Sequence, residues 1–187
     1  EDGGSLIRSP TPGPALSVRV RLQDRAGASI VDAEVDVWHS SPEGLYENQD
    51  PSQAEMNLRG RFLSDAEGRF SFATVMPAGY PIPDDGPVGE LLRAAGRQKF
   101  RPAHLHFMIY KPGFKTLISQ LYVAGDPHLE SDVQFGVTRA LIGDFVRRNN
   151  AGGESYSLEQ VFTLEPGEAR RPRAPVRGKR SADVIVG

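Results

Sequence analysis

The sequence predicts a mainly β protein with long loops and one or two short helices. Proline and glycine are abundant, with 15 and 20 residues among 187, which favours turn-rich strands over a helical bundle. Segments 16–22 and 33–37 alternate apolar and polar residues, which is the period of a half-buried strand. Segments 39–60 and 77–87 have no such period, and they are interpreted as long loops.

The other elements follow along the chain. A helix is predicted over 88–95, because its apolar residues have helical spacing and Pro87 and Gly96 flank it at favourable positions. A second helix is predicted within 132–148, with Val133, Val137 and Leu141 on one face. Turns are predicted at 24–27 and 65–68, and further strands around Phe62, around Phe70 and Phe72, and at 104–109, 117–123 and 158–164.

The length of the chain fits one domain. We expect an irregular lead-in at 1–15, a β domain at 16–165 and a Pro/Arg-rich tail at 166–187 that packs on the surface or on a neighbouring subunit. The net charge of −2 gives no reason to expect nucleic acid or a membrane surface as a partner. No apolar run is long enough to span a bilayer.

The chain contains no cysteine. This excludes disulfides, thiolate metal sites and cysteine nucleophiles, and it is compatible with a cytoplasmic location. A metal ion would have to be held by His, Tyr, Asp or Glu.

Two histidines are candidates for such a site. His104 and His106 lie two residues apart in a predicted strand, so both rings project from one face, whereas Leu105 and Phe107 project from the other. Two such rings can bind one metal ion. Taken alone, however, a pair with this spacing is more often structural.

The residues near this pair make a site more plausible. Arg101 precedes the histidines, which suggests anionic chemistry nearby. Tyr80 lies in a Pro/Gly-rich loop and Tyr46 in the other long loop, although a tyrosine in a loop is usually an amphipathic anchor. His39 and His128 are interpreted as ordinary exposed or hydrogen-bonded histidines.

Five segments together resemble the intradiol ring-cleavage dioxygenases. They are GLYENQD, RGRFLSDAEGRFSF, AGYPIPDDGPVGELL, RPAHLHFMI and LISQLYVAGD, and they occur in order between Val18 and Phe162. The chain is most similar to the hydroxyquinol and catechol 1,2-dioxygenase branch of that family. The resemblance implies a β-sandwich fold and a small aromatic diol or triol and O2 as substrates.

The resemblance also implies one non-haem Fe(III) ion per chain. Its ligands would be Tyr46, Tyr80, His104 and His106, with Tyr80 and His106 axial and Tyr46 and His104 in the equatorial plane. Two phenolates are hard anionic donors that favour Fe(III). A bound metal lowers the pKa of a phenol, so no separate base is needed to form tyrosinate.

Catalytic roles are implied for three residues. Tyr80 would leave the iron and accept a proton from the substrate, Arg101 would stabilise negative charge on the ring, and Gln120 would lie beside the iron. The residues implied to contact the substrate are Arg101, Leu45, Val133 and Gln134.

The substrate most favoured by the resemblance is hydroxyquinol (1,2,4-trihydroxybenzene), with maleylacetate or 3-hydroxy-cis,cis-muconate as product. Catechol or a substituted catechol, giving a cis,cis-muconate, is the alternative. The resemblance also implies a helical N-terminal domain that forms a homodimer. About 45 residues precede Tyr46, so we expect that domain to be absent and a homodimer only if the region exists. Two other interpretations stay open: a non-catalytic β-sandwich binding module, and a copper or zinc site that uses the histidines alone.

Overall fold

The computed structural model describes residues 4–150 and 153–171. Its strands are β1 Gly4–Ser5, β2 Ala15–Gln23, β3 Glu34–Trp38, β4 Arg59–Leu63, β5 Arg69–Val75, β6 Tyr80–Pro81, β7 Phe100–Arg101, β8 His104–Tyr110, β9 Leu117–Val123, β10 Ile142–Gly143, β11 Val146–Asn150 and β12 Gly153–Thr163. One α-helix, α1, spans Pro87–Ala94, and a single 3-10 turn spans Arg139–Leu141.

The strands form two five-stranded sheets and one two-stranded ribbon. The first sheet has the order β1-β5-β2-β12-β11, and the second has the order β10-β9-β8-β3-β4. The ribbon pairs β6 with β7. The two sheets pack face to face, which is the predicted β-sandwich.

The core lies between the two sheets and follows the alternation in the sequence. In β8, Leu105 and Phe107 are fully buried and belong to the core, as predicted for the face opposite the two histidines. The Phe107 ring meets the Phe162 ring of β12 at a centroid distance of 5.1 Å, which joins the second sheet to the first. The outward face of β8 therefore carries only the alternate side chains, including His104 and His106.

The predicted second helix within 132–148 is wrong. The side chain of Asp132 accepts the backbone N–H of Gly136 at 2.8 Å, a group that in an α-helix would donate to the Asp132 carbonyl oxygen instead. Phe135 has φ of 55°, which is left-handed and incompatible with an α-helix. Only the 3-10 turn at Arg139–Leu141 is helical in this part of the chain.

Both ends of the described chain pack against the sandwich. In the lead-in, β1 pairs with β5 and Leu6 is fully buried in the core. At the other end, Arg171 forms an ion pair with Glu34 and lies 4.2 Å over the Tyr110 ring. The remainder of the predicted Pro/Arg-rich tail, 172–187, lies outside the described residues.

No helix in the described ranges is long and apolar enough to cross a membrane.

Candidate active site

Strand register places the two histidines beside other polar and aromatic side chains. In the pairing of β8 with β9, His104 lies opposite Tyr122 and His106 lies opposite Gln120. On the other side of β8, His106 lies opposite Trp38 of β3. The Trp38 and His106 rings stack in parallel, with centroids 4.7 Å apart and an interplanar angle of 6°. The imidazole of His106 is therefore held parallel to the indole ring of Trp38.

The two loop tyrosines meet over this face. Tyr46 comes from the long connection between β3 and β4, and Tyr80 lies in β6, paired with Arg101 of β7. Their rings meet edge to face with centroids 5.3 Å apart. Arg59 lies 5.8 Å over the Tyr46 ring and pairs with Glu47.

Four donor atoms from these elements converge. The Tyr46 Oη atom is 3.0 Å from Tyr80 Oη and 3.3 Å from His106 Nε2, and the Nε2 atoms of His104 and His106 are 2.9 Å apart. Metal bonds of about 2.0–2.1 Å at right angles hold neighbouring donors about 3 Å apart. The observed spacing therefore fits one metal ion.

The protonation of the histidines also fits a metal. The Nδ1 atom of His104 lies 2.6 Å from the carbonyl oxygen of Pro102, so Nδ1 carries the proton and Nε2 presents a lone pair. Burial lowers the pKa of His104 to about 4. Burial, and then the neighbouring His104, lower the pKa of His106 to about 2. Both rings are neutral at pH 7, as metal ligands must be.

The tyrosines are needed to complete any such site. Within residues 4–150 and 153–171, no group of three or more His, Cys, Asp or Glu side chains could hold a metal ion. Two histidines and two phenol oxygens are thus the available set at this position. Burial, followed by the proximity of Tyr80, raises the pKa of Tyr46, so without a cation its phenol stays protonated.

Arg101 lies directly beside the four donors and is buried, with 2% of its surface exposed. Its Nη1 atom is 3.1 Å from His104 Nε2, and its Nη2 atom donates to Gln120 Oε1 at 2.7 Å and to Tyr122 Oη at 3.0 Å. Burial opposes its charge, but interactions with Tyr80, Tyr122 and Asp132 outweigh burial and raise the pKa of Arg101.

Sequence reasoning missed two members of this network. Tyr122 follows Gln120 by two residues in β9, so the same alternation that pairs the histidines could have identified it. Asp132 forms an ion pair with Arg101, and no local pattern indicates that contact because the two residues are 31 positions apart.

The other predicted substrate contacts are sequence neighbours of residues in the network. Leu45 precedes Tyr46 and is half exposed, Val133 is buried, and Gln134 is exposed. Val133 and Gln134 directly follow Asp132. Their contact with a substrate stays a prediction. His39 is buried and bonded to Ser40 and Thr74.

His128 lies outside the cluster of four donors. Its ring stacks on the Phe100 ring, with centroids 5.0 Å apart. The contacts of His39 and His128 are those of ordinary hydrogen-bonded or stacked histidines.

Comparison with known proteins identifies the family of the chain. The model of the family Dioxygenase_C, described as "Dioxygenase", matches residues 5–166. The chain is 42% identical over 163 residues to a 6-chlorohydroxyquinol 1,2-dioxygenase of Cupriavidus pinatubonensis, with 87% of this chain and 58% of that protein covered. It is 44% identical over 171 residues to a hydroxyquinol 1,2-dioxygenase of a Rhizobium species, with 86% and 58% covered.

A solved structure is similar over most of the chain. The hydroxyquinol 1,2-dioxygenase from Pseudomonas putida DLL-E4 superposes with a TM-score of 0.80 at 39% identity, covering 89% of this chain and 62% of that one. This chain thus spans somewhat more than half the length of its relatives. On the family match, the sequence identity and the shared sandwich, the chain belongs to the intradiol ring-cleavage dioxygenase family, in the branch of the hydroxyquinol and catechol 1,2-dioxygenases.

Proposed function

We propose that this chain forms the catalytic domain of a non-haem Fe(III) intradiol dioxygenase that cleaves hydroxyquinol between two adjacent hydroxyl groups. Both atoms of O2 would enter the product, 3-hydroxy-cis,cis-muconate, which tautomerises to maleylacetate. The observation that carries the proposal is the convergence of Tyr46, Tyr80, His104 and His106 within 2.9–3.3 Å beside a buried arginine.

The proposed cofactor is one Fe(III) ion per chain, held by these four side chains. Two phenol oxygens, ionised on binding, and two neutral imidazoles form a set of mainly hard donors that favours Fe(III) over softer ions. When bound, the ion would act as a Lewis acid that orients the substrate and activates its ring toward O2.

Tyr80 is the proposed proton acceptor. Its hydroxyl group is 3.0 Å from that of Tyr46, its ring centroid is 5.5 Å from that of His104, and its cross-strand neighbour is Arg101. A substrate hydroxyl group arriving at this position could pass its proton to the Tyr80 oxygen. Tyr46 also contacts His106, and in the proposal it keeps its place.

Arg101 and Gln120 are the proposed electrostatic partners of the substrate. The Nη1 atom of Arg101 contacts His104 and its Nη2 atom contacts Gln120. In the proposal, negative charge on the substrate ring would develop next to these two nitrogen atoms. The Gln120 oxygen accepts from both Arg101 and Tyr122, the latter at 2.6 Å, which orients the amide. A preorganised cation of this kind commonly contributes about 10²–10³ in kcat.

The metal is tested first by loading the iron-free protein with iron. Tyrosinate-to-Fe(III) charge transfer should give a red protein with one iron per chain. The chain has one tryptophan, and Trp38 stacks on His106, so we expect iron to quench its fluorescence with the same stoichiometry. A protein that binds zinc or copper and stays colourless with iron would contradict the proposal.

Substrate choice is tested with hydroxyquinol, catechol and chlorocatechols, measured by O2 uptake and product spectrum. We expect the highest kcat/KM for hydroxyquinol, with one O2 consumed per ring. A preference for catechol would leave the reaction class intact and correct the substrate. Extradiol products, or no O2 uptake by the red protein, would contradict the reaction class.

The role of Tyr80 is tested with Tyr80→Phe. Loss of the hydroxyl group should weaken the visible band and lower kcat by about 10²–10⁴-fold, the usual contribution of a positioned proton acceptor. Tyr156→Phe is the matched control, because the Tyr156 hydroxyl group bonds only to Glu154 among the contacts described for it and lies outside the site. Unchanged turnover by Tyr80→Phe would show that the ligand is misassigned.

We also propose a location and a state of assembly. A cytoplasmic location is consistent with the lack of cysteine. A homodimer is expected if the protein also has the helical region of its branch.

A further inference from the structure

Arg101 is held from two sides, and only one of them faces the four donor atoms. Its Nη1 and Nη2 atoms point toward His104 and toward the Gln120–Tyr122 pair. Its Nε atom points the other way and lies 3.4 Å from Asp132 Oδ1. A guanidinium presents its N–H donors in a rigid fork, so fixing Nε also fixes the direction of the two Nη groups.

Asp132 is a buried carboxylate, with 4% of its surface exposed. Among the described residues it makes the single ion pair of Arg101. The contact is long and uses one N–H group, so it does not engage the edge of the guanidinium that carries both Nη atoms. Asp132 thus holds the guanidinium at Nε, and the Nη1 and Nη2 atoms stay directed toward the four donor atoms.

The same carboxylate shapes the loop that follows it. Asp132 Oδ2 accepts the backbone N–H of Gly136 at 2.8 Å, and Oδ1 lies 3.4 Å from the backbone nitrogen of Gln134. At Gly136 the loop approaches the site so closely that a Cβ atom would lie 2.5 Å from Tyr122 Oη. The loop that contains Val133 and Gln134, two predicted substrate contacts, is therefore tied to Arg101 through one side chain.

Within the proposed function, we infer that Asp132 is a positioning residue. It holds Nε of Arg101 so that both Nη groups face the substrate, and it couples that orientation to the 132–136 loop. Arg101 remains the residue that touches the substrate, and Asp132 acts through it.

The variant that tests this inference is Asp132→Asn. It keeps the size and one acceptor oxygen but removes the charge. We expect the iron-loaded variant to keep the visible band of the wild type and to lose about 10–100-fold in kcat/KM for the best substrate, as for other residues that orient an active-site group. The matched control is Asp65→Asn, because Asp65 also closes a turn, through the N–H groups of Glu67 and Arg69, but lies in an exposed hairpin.

A double-mutant cycle separates positioning from a general structural effect. If Asp132 acts through Arg101, the double variant Arg101→Gln/Asp132→Asn should be no slower than Arg101→Gln alone. If the fold-losses in kcat/KM of the two single variants multiply in the double variant, the inference is overturned. So would an Asp132→Asn enzyme whose kcat/KM lies within twofold of the wild type.

A measurement on the iron-free wild type makes the test independent of catalysis and of the folding of any variant. In nitrogen-15 spectra, the Nε–H of Arg101 should exchange with solvent much more slowly than that of Arg19, whose side chain is 72% exposed. Equal exchange rates would overturn the inference. If the wild type bound no iron and cleaved no ring, the proposed function would fail, whereas slow exchange would still show that the Nε–H of Arg101 is shielded from solvent on the side where Asp132 lies. Faster exchange of this group in iron-free Asp132→Asn would then assign the shielding to the carboxylate.

Discussion

At the scale of single residues, His39 shows how burial alone can make a side chain sensitive to pH. It is 1% exposed, its Nδ1 atom lies 2.7 Å from the Ser40 carbonyl oxygen, and its Nε2 atom lies 2.7 Å from Thr74 Oγ1. Burial lowers its pKa to about 4. The folded protein therefore holds this ring neutral, while the unfolded chain protonates it near its ordinary pKa of about 6.5.

The sign of the pH effect follows from this difference. Protons bind the unfolded chain more readily between pH 6.5 and 4, so the contribution of His39 is complete above pH 6.5 and is lost as pH falls toward 4. The loss amounts to about 3 kcal/mol of unfolding free energy. We expect iron-free His39→Gln to be less stable than the wild type at pH 7 but to lose less stability on acidification.

Urea unfolding at several pH values between 7 and 4 measures this difference. His104 and His106 titrate in both proteins, so the difference between the two curves reports on His39 together with its repulsion of these two histidines. Parallel curves would contradict the prediction.

At the scale of elements, the site depends on two loops that interlock. Gly44, two residues before Tyr46, has φ of 80°, and a Cβ atom there would lie 3.1 Å from the Gly79 carbonyl oxygen and 3.2 Å from Tyr80 Cβ. The absence of a side chain at Gly44 lets the Tyr46 loop lie directly on the Tyr80 loop. The distance between the two phenol oxygens thus depends on a backbone contact.

Gly44→Ala should disturb that contact. We expect it to lower the unfolding free energy by about 1–3 kcal/mol, from backbone strain and crowding, and to weaken iron binding. Gly27→Ala is the matched control, since Gly27 has φ of 82° and open space around the added Cβ. The control should show the strain without any change in the visible band.

Urea unfolding and iron titration of both variants test this prediction. Equal iron affinity in Gly44→Ala and Gly27→Ala would show that the interlocking of the loops does not position the tyrosines.

At the scale of the whole molecule, one core supports both sheets and the site. Leu158 of β12 is 1% exposed and belongs to the core, whereas Val161 of the same strand is about half exposed. The site lies on the opposite side of the second sheet from this core. The stability of the sandwich and the arrangement of the donor atoms should therefore be partly separable.

Leu158→Ala tests this separation. A cavity at a buried leucine typically costs about 2–5 kcal/mol, while Val161→Ala should change stability by about 0.5 kcal/mol or less. We expect one cooperative urea transition in both variants and, below it, an unchanged visible band in the iron-loaded proteins. A band lost before the global transition in Leu158→Ala would show that the site depends directly on this part of the core.

Much of the sandwich was predictable because strand alternation is a local property. The pattern of 104–109 predicted a strand with histidines on one face and core residues on the other, and β8 has that arrangement. The helix α1 was predicted from local spacing and flanking residues in the same way. The segment 132–148 has helical spacing as well, but there the carboxylate of Asp132 binds the backbone locally, and a tertiary ion pair with Arg101 fixes that carboxylate.

The residues of the candidate site also fall into two groups, those that the sequence motifs identify and those that only the structure brings together. Sequence was sufficient to propose the two histidines, the two tyrosines, Arg101 and Gln120, because the motifs that carry the family resemblance contain them. Tertiary structure alone brought Tyr46 within 3.0 Å of Tyr80 and placed Asp132 behind Arg101. Loops that are distant in sequence meet here through a backbone contact, at Gly44 and Gly79, and through a buried ion pair, between Arg101 and Asp132. Neither kind of contact produces a periodic pattern in the sequence.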